Sequence, residues 1–330
     1  MTVTAGLDIS AKTLDLVVRH HGVACRPETF RQTSAGHQAL IRRLKALKPA
    51  IVVMEATGVY YLDAAVALYH AGIAISVINP GSFRHFAQLK LQNSKTDAID
   101  AALLAEYAEC IPTRRWVAPD PARLALRDLA RQINRLTHAR TQAKNRLHAL
   151  RAQRGRLPLL IEDELHGIEQ LDQRIERLRQ AALTLIEDSD ELSAQLQLMQ
   201  TARGIGTTSA IAILGELCVL PRDMKARQVS CHAGLDVRQH QSGTSVNRPG
   251  RLSKAGNTYL RAALYMPALT AVRHDPLARA FYERLIARGK KKLQALCAVM
   301  RKYLTGLWAC LRDLQPFTSS RLFNDTVQTT

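Results

Sequence analysis

Residues 50–55 read Ala-Ile-Val-Val-Met-Glu, and this stretch decides the fold of the N-terminal region. Its five successive apolar residues are typical of a β-strand that is buried on both faces of a sheet. Upstream, residues 3–9 and 13–19 are predicted to form two hairpin strands, followed by a helix with Ser34 as its N-cap. Downstream, helix and strand continue to alternate, with a helix at 59–70, a strand at 73–78 that stops at Asn79-Pro80, and a helix at 96–109. This alternation predicts a sheet with helices packed against it.

From Pro121 onward the pattern changes to long helices. Apolar residues recur every seven positions at Ala122, Leu129, Leu136, Ala143 and Leu150. With a second apolar seam between 168 and 185, this repeat predicts a coiled coil or a helical hairpin. The ordinary interpretation is a spacer or a dimerisation arm, and we favour it over a catalytic role.

The C-terminal region is predicted to be helical around one polar loop, residues 238–257. Helices are expected from Gly206 to Leu217 and at 258–273, 276–288 and 291–313, with a frayed polar tail after Pro316. Tyr259 and Tyr265 follow an apolar helix pattern and are expected in the core. The predicted architecture is therefore α/β plus all-α, with domains at 1–112, 113–200 and 201–330.

The charge of the chain narrows the class of partner. Its 330 residues include 46 Lys and Arg against 28 Asp and Glu, a formal net charge of +18. This excess favours a polyanion, although charge alone does not separate DNA from RNA or from an anionic membrane. No apolar run reaches the ~18 residues of a membrane span, and the N-terminus lacks the pattern of a signal peptide. The six scattered cysteines form no Cys-x-x-Cys pair, which argues against a zinc knuckle and predicts a cytoplasmic, reduced protein.

Four acidic residues lie where metal chemistry would need them. Asp8 lies inside an apolar strand, Glu55 ends the buried strand, and Asp97 and Asp100 are spaced to share one helix face. Carboxylates that converge repel one another unless cations neutralise them, and Mg²⁺ prefers such oxygen ligands. Taken singly, Glu55 is explained as a solvated strand end and Asp97 as a first-turn acid. Asp8 is harder to explain without a partner, so the four together predict a magnesium site suited to two ions in phosphoryl chemistry.

Basic residues are concentrated between 113 and 156, where 12 Lys or Arg accompany two acids. A four-residue spacing forms one helical stripe, comprising Arg123, Arg127, Arg131 and Arg135. Such a stripe is usually a solvated face, but its one-sidedness favours contact with phosphates. The run 290–292 is a second candidate.

Two further segments combine glycine with polar groups. Gly204-Ile205-Gly206 is similar to a helix-hairpin-helix turn that binds phosphate through backbone N–H groups, and an ordinary glycine turn explains it equally well. The loop at 238–257 places Ser242 near Arg248 and Lys254, which suits an anionic substrate. Ser-Gly is common in polar loops, so from the residues alone Ser242 is interpreted as a turn residue.

These motifs, in this order, resemble the transposases of the IS110 group of bacterial insertion sequences. The resemblance covers residues 3–310 and rests on six motifs: Gly-Leu-Asp8-Ile-Ser, Met-Glu55-Ala-Thr-Gly, Val77-Ile-Asn79-Pro80, Lys95-Thr-Asp97-Ala-Ile-Asp100-Ala, Gly204-Ile-Gly206, and Ser242-Gly with Ser253-Lys-Ala-Gly256. It implies an RNase H-like or RuvC-like DEDD domain, a coiled-coil arm and a C-terminal serine domain. Cys231-His232 stands where apolar residues would be expected.

The resemblance also implies specific chemistry and partners. Its four metal-binding acids fall on Asp8, Glu55, Asp97 and Asp100, and its nucleophile falls on Ser242. It implies Mg²⁺, a noncoding bridge RNA that pairs with donor and target DNA, and homodimers that assemble into a tetramer in the bacterial cytoplasm at the nucleoid. The predicted function is thus an RNA-guided recombinase that acts through a phosphoserine intermediate.

Two rival functions predict different outcomes. A RuvC-like endonuclease would hydrolyse DNA with water, with Ser242 only binding phosphate, and would form no covalent protein–DNA adduct. A nonenzymatic scaffold built on the basic arm would cleave nothing with any metal, and it leaves Asp8 unexplained.

Overall fold

The apolar run at 50–55 forms an interior strand of the N-terminal sheet. In this computed structural model the described residues are 3–56, 58, 60–92, 94, 96–153, 157–242 and 246–323, with only the backbone described at 240, 242 and 246–249. They form two units, Met1–Ala118 and Pro119–Thr330. The elements of the first unit are β1 (Thr4–Ile9), β2 (Thr13–His20), β3 (Val23–Ala24), β4 (Glu28–Arg31), α1 (Ser34–Leu47), β5 (Ile51–Glu55), α2 (Tyr61–His70), β6 (Ile75–Ile78), α3 (Pro80–Leu89) and α4 (Asp97–Cys110).

The sheet of the first unit has the strand order β3-β2-β1-β5-β6, with β4 also paired to β2. β2 runs antiparallel to β1, whereas β5 and β6 run parallel to it. Val52 and Met54 pack into one apolar cluster with Leu40, and Val53 packs into another with Leu104 on the opposite face. A strand that contributes to two cores has no polar face, which is why its sequence is continuously apolar.

The second unit is helical apart from one hairpin in its described part. Its elements are α5 (Pro121–Arg151), α6 (Pro158–Glu187), α7 (Asp190–Gln200), α8 (Thr207–Leu217), α9 (Ala226–His232), β7 (Val237–Ser242), β8 (Val246–Leu252), α10 (Thr258–His274), α11 (Pro276–Ala287), α12 (Lys292–Asp313) and α13 (Ser319–Phe323). The predicted fold class, α/β followed by all-α, is confirmed.

The two long helices α5 and α6 pack antiparallel along their length. Arg140 pairs with Asp172 at 2.5 Å, and Arg146 pairs with Glu164 at 2.6 Å nearer the connection. Along the same interface, apolar residues of the two seams form small clusters. The predicted helical hairpin is therefore present, while its description as a coiled coil stays a prediction.

The strand before Asn79-Pro80 ends at Ile78 as predicted, and the same pair also begins α3, since proline suits the first turn of a helix. Two sequence predictions at element ends were wrong. Thr33, not Ser34, caps α1, because its hydroxyl accepts a hydrogen bond from the Gly36 N–H at 3.2 Å. The tail after Pro316 is not frayed up to Phe323, whose side chain is buried against Phe281 and Tyr303.

The polar segment 238–257 is a hairpin rather than a loop over most of its length. β7 and β8 pair antiparallel, from Val237 opposite Leu252 to Ser242 opposite Val246, with an irregularity between Arg238 and His240. The segment lacks the apolar alternation of a half-buried strand, so its strands could not be recognised from hydropathy. Tyr265 on the following helix is 42% exposed and does not lie in the core as predicted.

Candidate carboxylate site and serine hairpin

Asp8 lies on the face of β1 that packs against α4. On the same face, two and four residues earlier, Gly6 and Thr4 touch the helix directly. Thr4 Oγ1 donates to the Ala105 carbonyl at 3.1 Å, and a Cβ built on Gly6 would lie 2.1 Å from the Ala101 carbonyl oxygen. Because side chains two apart on a strand share a face, Asp8 also points toward α4.

The first turn of α4 carries the second pair of acids. Thr96 caps the helix by accepting a hydrogen bond from the Ile99 N–H at 3.2 Å, so Asp97 and Asp100 fall in the first turn. The dipole of the helix favours negative charge there. Thr4 contacts Ala105, and Gly6, two residues further along β1, approaches Ala101. α4 therefore runs antiparallel to β1, and the first turn of the helix lies beside Asp8.

Glu55 is the last residue of β5, the strand that is paired with β1. The parallel register pairs Leu7 with Met54, so Glu55 follows at the level of Asp8. It is half-buried, at the carboxyl end of a parallel pair. Side chains from two adjacent strand ends and one helix start therefore converge.

The electrostatics of Asp8 show this convergence. Its pKa is raised from 3.8 to about 6, first by burial and then by the negative charges of Asp100, Asp97 and Glu55, against a lowering by the Ile9 N–H. All three other predicted acids act on this one carboxyl. The structure thus brings together the four residues that the sequence singled out.

The donor set fits a divalent cation in its chemistry. Because the charges of the other three acids raise the pKa of Asp8, all four carboxylates need positive charge nearby to be ionised together. Hard cations prefer such oxygen donors. Within the ranges that the structure describes, no three His, Cys, Asp or Glu side chains are grouped closely enough to hold one ion. Mutual repulsion opposes a closer grouping of carboxylates, and a divalent cation would offset that repulsion.

The serine hairpin, which we define as residues 237–252, ends its first strand at Ser242. Residues 243–245 and the side chains of Ser242 and Arg248 lie outside what the structure describes. At the base of the hairpin, Ser253 donates from its hydroxyl to Asp236 and from its N–H to the Asp236 carbonyl at 2.9 Å. Lys254 is exposed and has a positive φ of 52°.

The basic stripe on α5 is not the free surface that the sequence suggested. Arg123 donates to the Cys218 carbonyl at 2.9 Å and pairs with Glu191, and Arg131 forms a bidentate pair with Glu216. The Arg127 side chain is only 14% exposed. These three arginines face other helices of their own unit, so we do not assign phosphate contacts to them. Arg135, the outermost of the four, is exposed and donates to the Tyr259 hydroxyl at 3.1 Å.

The glycines before α8 have different roles. Gly204 has a φ of 90°, and a Cβ on it would lie 2.8 Å from the Pro267 carbonyl oxygen. Its conformation and close packing both require glycine. Gly206 is the N-cap of α8 and has open space around it. Packing explains the first glycine, and phosphate binding stays a prediction for the second.

Sequence reasoning missed the role of Gly6. Glycine inside a strand marks a close approach of another backbone, and this signal was present two residues before Asp8. It also missed Glu216, a carboxylate that is 2% exposed within the apolar helix α8. The reasoning that singled out Asp8, an acid in an apolar element, applies equally to Glu216.

Two family models match the chain, one in each part. Residues 5–153 match the DEDD model of IS110 transposases, described as "Transposase", and residues 196–283 match "Transposase IS116/IS110/IS902 family". The first range contains all four acids. The second contains Ser242.

Similar proteins are known by name in several bacteria. The pilin gene-inverting protein of Moraxella bovis is 27% identical over 318 residues, 94% of this chain and 96% of that protein. A probable family 20 transposase of Pseudomonas aeruginosa is 28% identical, covering 93% of this chain and 96% of its own. The transposase for insertion sequence element IS1111A of Coxiella burnetii is 24% identical, covering 82% and 80% respectively. Among solved structures, Thermus thermophilus RuvC in complex with a Holliday junction substrate covers 35% of this chain and 100% of its own, at 16% identity and a TM-score of 0.29.

A carboxylate-bearing α/β domain followed by a helical unit, each matched by a transposase model, defines an enzyme that recombines DNA. The chain belongs to the IS110 family of transposases. Membership of this family, through its DEDD domain, implies action on DNA with a divalent cation. Among the described helices, none is both long and apolar enough to cross a membrane.

Proposed function

We propose that this transposase cuts and rejoins DNA strands through a covalent phosphoserine formed on Ser242. The convergence of Glu55, Asp97 and Asp100 on Asp8, where the ends of β1 and β5 meet the first turn of α4, is the observation that carries the proposal. A site of this charge suits the transfer of a phosphoryl group between oxygens, because that reaction needs its negative charge neutralised.

The reaction is an exchange of esters. The Ser242 oxygen forms a bond to the scissile phosphorus, the bond to one deoxyribose oxygen breaks, and the serine proton ends on that leaving oxygen. Because one phosphate ester replaces another, the reverse attack by a DNA hydroxyl rejoins the strand without an external energy source. A serine alcohol is a weak nucleophile and needs activation.

Asp8, Glu55, Asp97 and Asp100 are the residues that would hold the cation, and we propose Mg²⁺. When bound, it would neutralise the phosphate and lower the barrier to displacement. The protein itself orients the acids. Gly6 admits the backbone of α4, Thr96 begins that helix, and β5 ends beside β1 at Glu55.

We further propose that a noncoding bridge RNA pairs with donor and target DNA, and that homodimers assemble into a tetramer. The net charge of +18 supports contact with more than one nucleic acid strand. Exposed cations for such contacts include Lys254 and the run 290–292. Arg135, Arg248 and Gly206 remain in the proposed interface. Sequencing of the RNA that co-purifies with the protein tests guidance, and a preparation that recombines DNA without RNA would contradict it.

The covalent intermediate is tested with a nicked suicide substrate that traps a protein–DNA adduct. Wild-type protein in Mg²⁺ should give an adduct that mass spectrometry maps to Ser242, and Ser242→Ala should give neither adduct nor cleavage. Ser245→Ala is the matched control, because it removes a hydroxyl only three residues along the chain and should retain the adduct. Robust cleavage by Ser242→Ala would instead favour hydrolysis by water, the reaction of a RuvC-like endonuclease.

A further inference from the structure

Glu216 is a buried carboxylate that lies outside the DEDD site. It is 2% exposed on α8 and accepts three hydrogen bonds from two distant parts of the chain. Arg131 on α5 donates to both of its oxygens, from Nε at 2.6 Å and from Nη2 at 2.9 Å. Asn257 donates from Nδ2 to the second oxygen at 2.6 Å. Both oxygens are therefore satisfied inside the helical unit.

A buried ion pair of this kind is poor evidence for stability, because desolvation offsets most of the attraction. Apolar residues of similar volume often stabilise a fold equally well. A bidentate arginine–carboxylate pair does, however, restrict the relative placement of its two partners. The pair between Arg131 and Glu216 therefore fixes the relative placement of α5 and α8 more than it adds to the stability of the fold.

Asn257 connects Glu216 to the second strand of the serine hairpin. Its Oδ1 accepts from the Leu260 N–H at 3.0 Å and caps α10, while its backbone N–H donates to the His232 carbonyl at 2.7 Å. The preceding Gly256 packs so closely that a Cβ on it would lie 2.3 Å from the same carbonyl oxygen. The strand leaves this junction only five residues before Asn257, at Leu252.

The first strand of the hairpin leaves from the same junction. Arg261, one turn after Asn257 on α10, donates to the Ala233 carbonyl at 2.8 Å. Gly234 accepts from the Lys254 N–H at 3.1 Å, which joins the two ends of the hairpin. β7 thus begins and β8 ends at one junction, which Glu216 and α10 attach to the rest of the helical unit.

The junction also explains the unexpected polar residue His232. His232 Nε2 lies 3.4 Å from Asn257 Nδ2, so the side chain closes the polar side of the network. Arg131 in turn stacks on the ring of Tyr259, with its Cζ 5.0 Å from the ring centroid. Polar residues at these positions therefore serve one connected network.

We infer that Glu216, Arg131 and Asn257 form a positioning network that sets the direction of the serine hairpin and thereby the rate at which Ser242 attacks phosphorus. These are positioning residues, because they act through the hairpin and not on the reacting atoms. The inference rests on the proposed role of Ser242. A displacement of a reacting group by about 1 Å can slow a reaction about 100-fold. The hairpin therefore needs a rigid point of attachment, even though the network acts on Ser242 only through the hairpin.

Two substitutions test the network with little change in shape. Glu216→Gln removes the charge, and Asn257→Ser removes the hydrogen bond to Glu216 while keeping a side chain that caps α10. The matched control is Glu164→Gln, which removes another bidentate arginine pair, with Arg146, far from the hairpin. Each variant is checked by thermal melting and size exclusion, and rates are normalised to the folded fraction.

The measurements are single-turnover adduct formation, DNA affinity and hydrogen exchange of residues 237–252. Both test variants should form the Ser242 adduct about 10- to 100-fold more slowly with DNA affinity within about twofold of wild type. Hydrogen exchange should rise in the hairpin and not in α10 or α12. Glu164→Gln should match wild type in all three measurements.

The outcomes separate this inference from the proposed function. If the wild type forms no serine adduct, the proposed function fails first. If it does, and both test variants form the adduct at the wild-type rate, the positioning role is wrong. A loss of rate that only parallels a loss of melting temperature or of DNA affinity also overturns it, and Asn257→Ser decides the matter if Glu216→Gln does not fold.

Discussion

Replacing Asp8 with asparagine should stabilise the metal-free protein at neutral pH while abolishing strand cleavage. The Asp8 carboxyl is partly buried among three other acids, and its pKa is raised to about 6. Asparagine has the same shape and carries no charge, so it removes both the desolvation and the repulsion. The substitution thus separates the destabilisation that the Asp8 charge causes from the role of Asp8 in cleavage.

The size of the effect follows from the pKa. A rise from 3.8 to about 6 corresponds to about 3 kcal/mol, at about 1.4 kcal/mol for each pH unit. Asp8 is still partly open to solvent, so screening reduces this value, and we expect about 1–2 kcal/mol. The folded protein binds the proton more tightly than the unfolded chain, so the wild type loses stability as the pH rises from about 4 to about 6. The advantage of asparagine should be full above pH 6 and absent below pH 4.

The assay is urea unfolding in EDTA, followed by the fluorescence of Trp116. This tryptophan belongs to the first unit, where its backbone N–H donates to the Ile75 carbonyl at 2.8 Å. The other tryptophan is replaced, as Trp308→Phe, so that only the first unit is observed. Asp163→Asn, at an exposed position on α6, is the control and should leave this transition unchanged. Equal stabilities of wild type and Asp8→Asn at pH 7.5 would refute the reasoning.

Three further outcomes are expected. Gly6→Ala should destabilise the first unit by about 1–3 kcal/mol and suppress cleavage, because the new methyl group would overlap the α4 backbone. Chemical unfolding and a nicking assay check this, and wild-type values in both would contradict the close approach. Changing Lys290–Lys292 to glutamine should reduce the slope of log affinity against log salt by about 0.9 for each phosphate that the run neutralises, measured by fluorescence anisotropy, whereas an unchanged slope would make the run a solvated turn. Phe323→Ala should lower the unfolding free energy of the second unit by about 3–5 kcal/mol in urea, and a neutral result would mean that α13 does not dock.

Much of the first unit could be predicted from short stretches of sequence. The apolar run to Met54 identified an interior strand because both of its faces are buried. The helix at 96–109 was predicted within one residue of its observed bounds. These features depend on neighbouring residues, so local patterns contain them.

The serine hairpin and the arginine stripe could not be predicted in the same way. Among the hairpin side chains that the structure describes, Leu252 alone packs against the apolar core, so hydropathy does not distinguish these strands from a loop. The spacing of Arg123, Arg127 and Arg131 is the same whether the stripe faces solvent or protein. Glu216, the partner of Arg131, lies 85 residues away from it in the chain, and no local pattern connects the two.

The sequence by itself determined which residues could do chemistry at the carboxylate site. An acid in an apolar strand, an acid at the end of another and two acids in the first turn of a helix are local facts, and each could be identified without coordinates. Only the tertiary structure decided that they act together, because α4 crosses β1 at Gly6, where the absence of a side chain lets two backbones touch. That close approach joins segments about 95 residues apart, and it brings the charges of Asp97 and Asp100 to bear on Asp8.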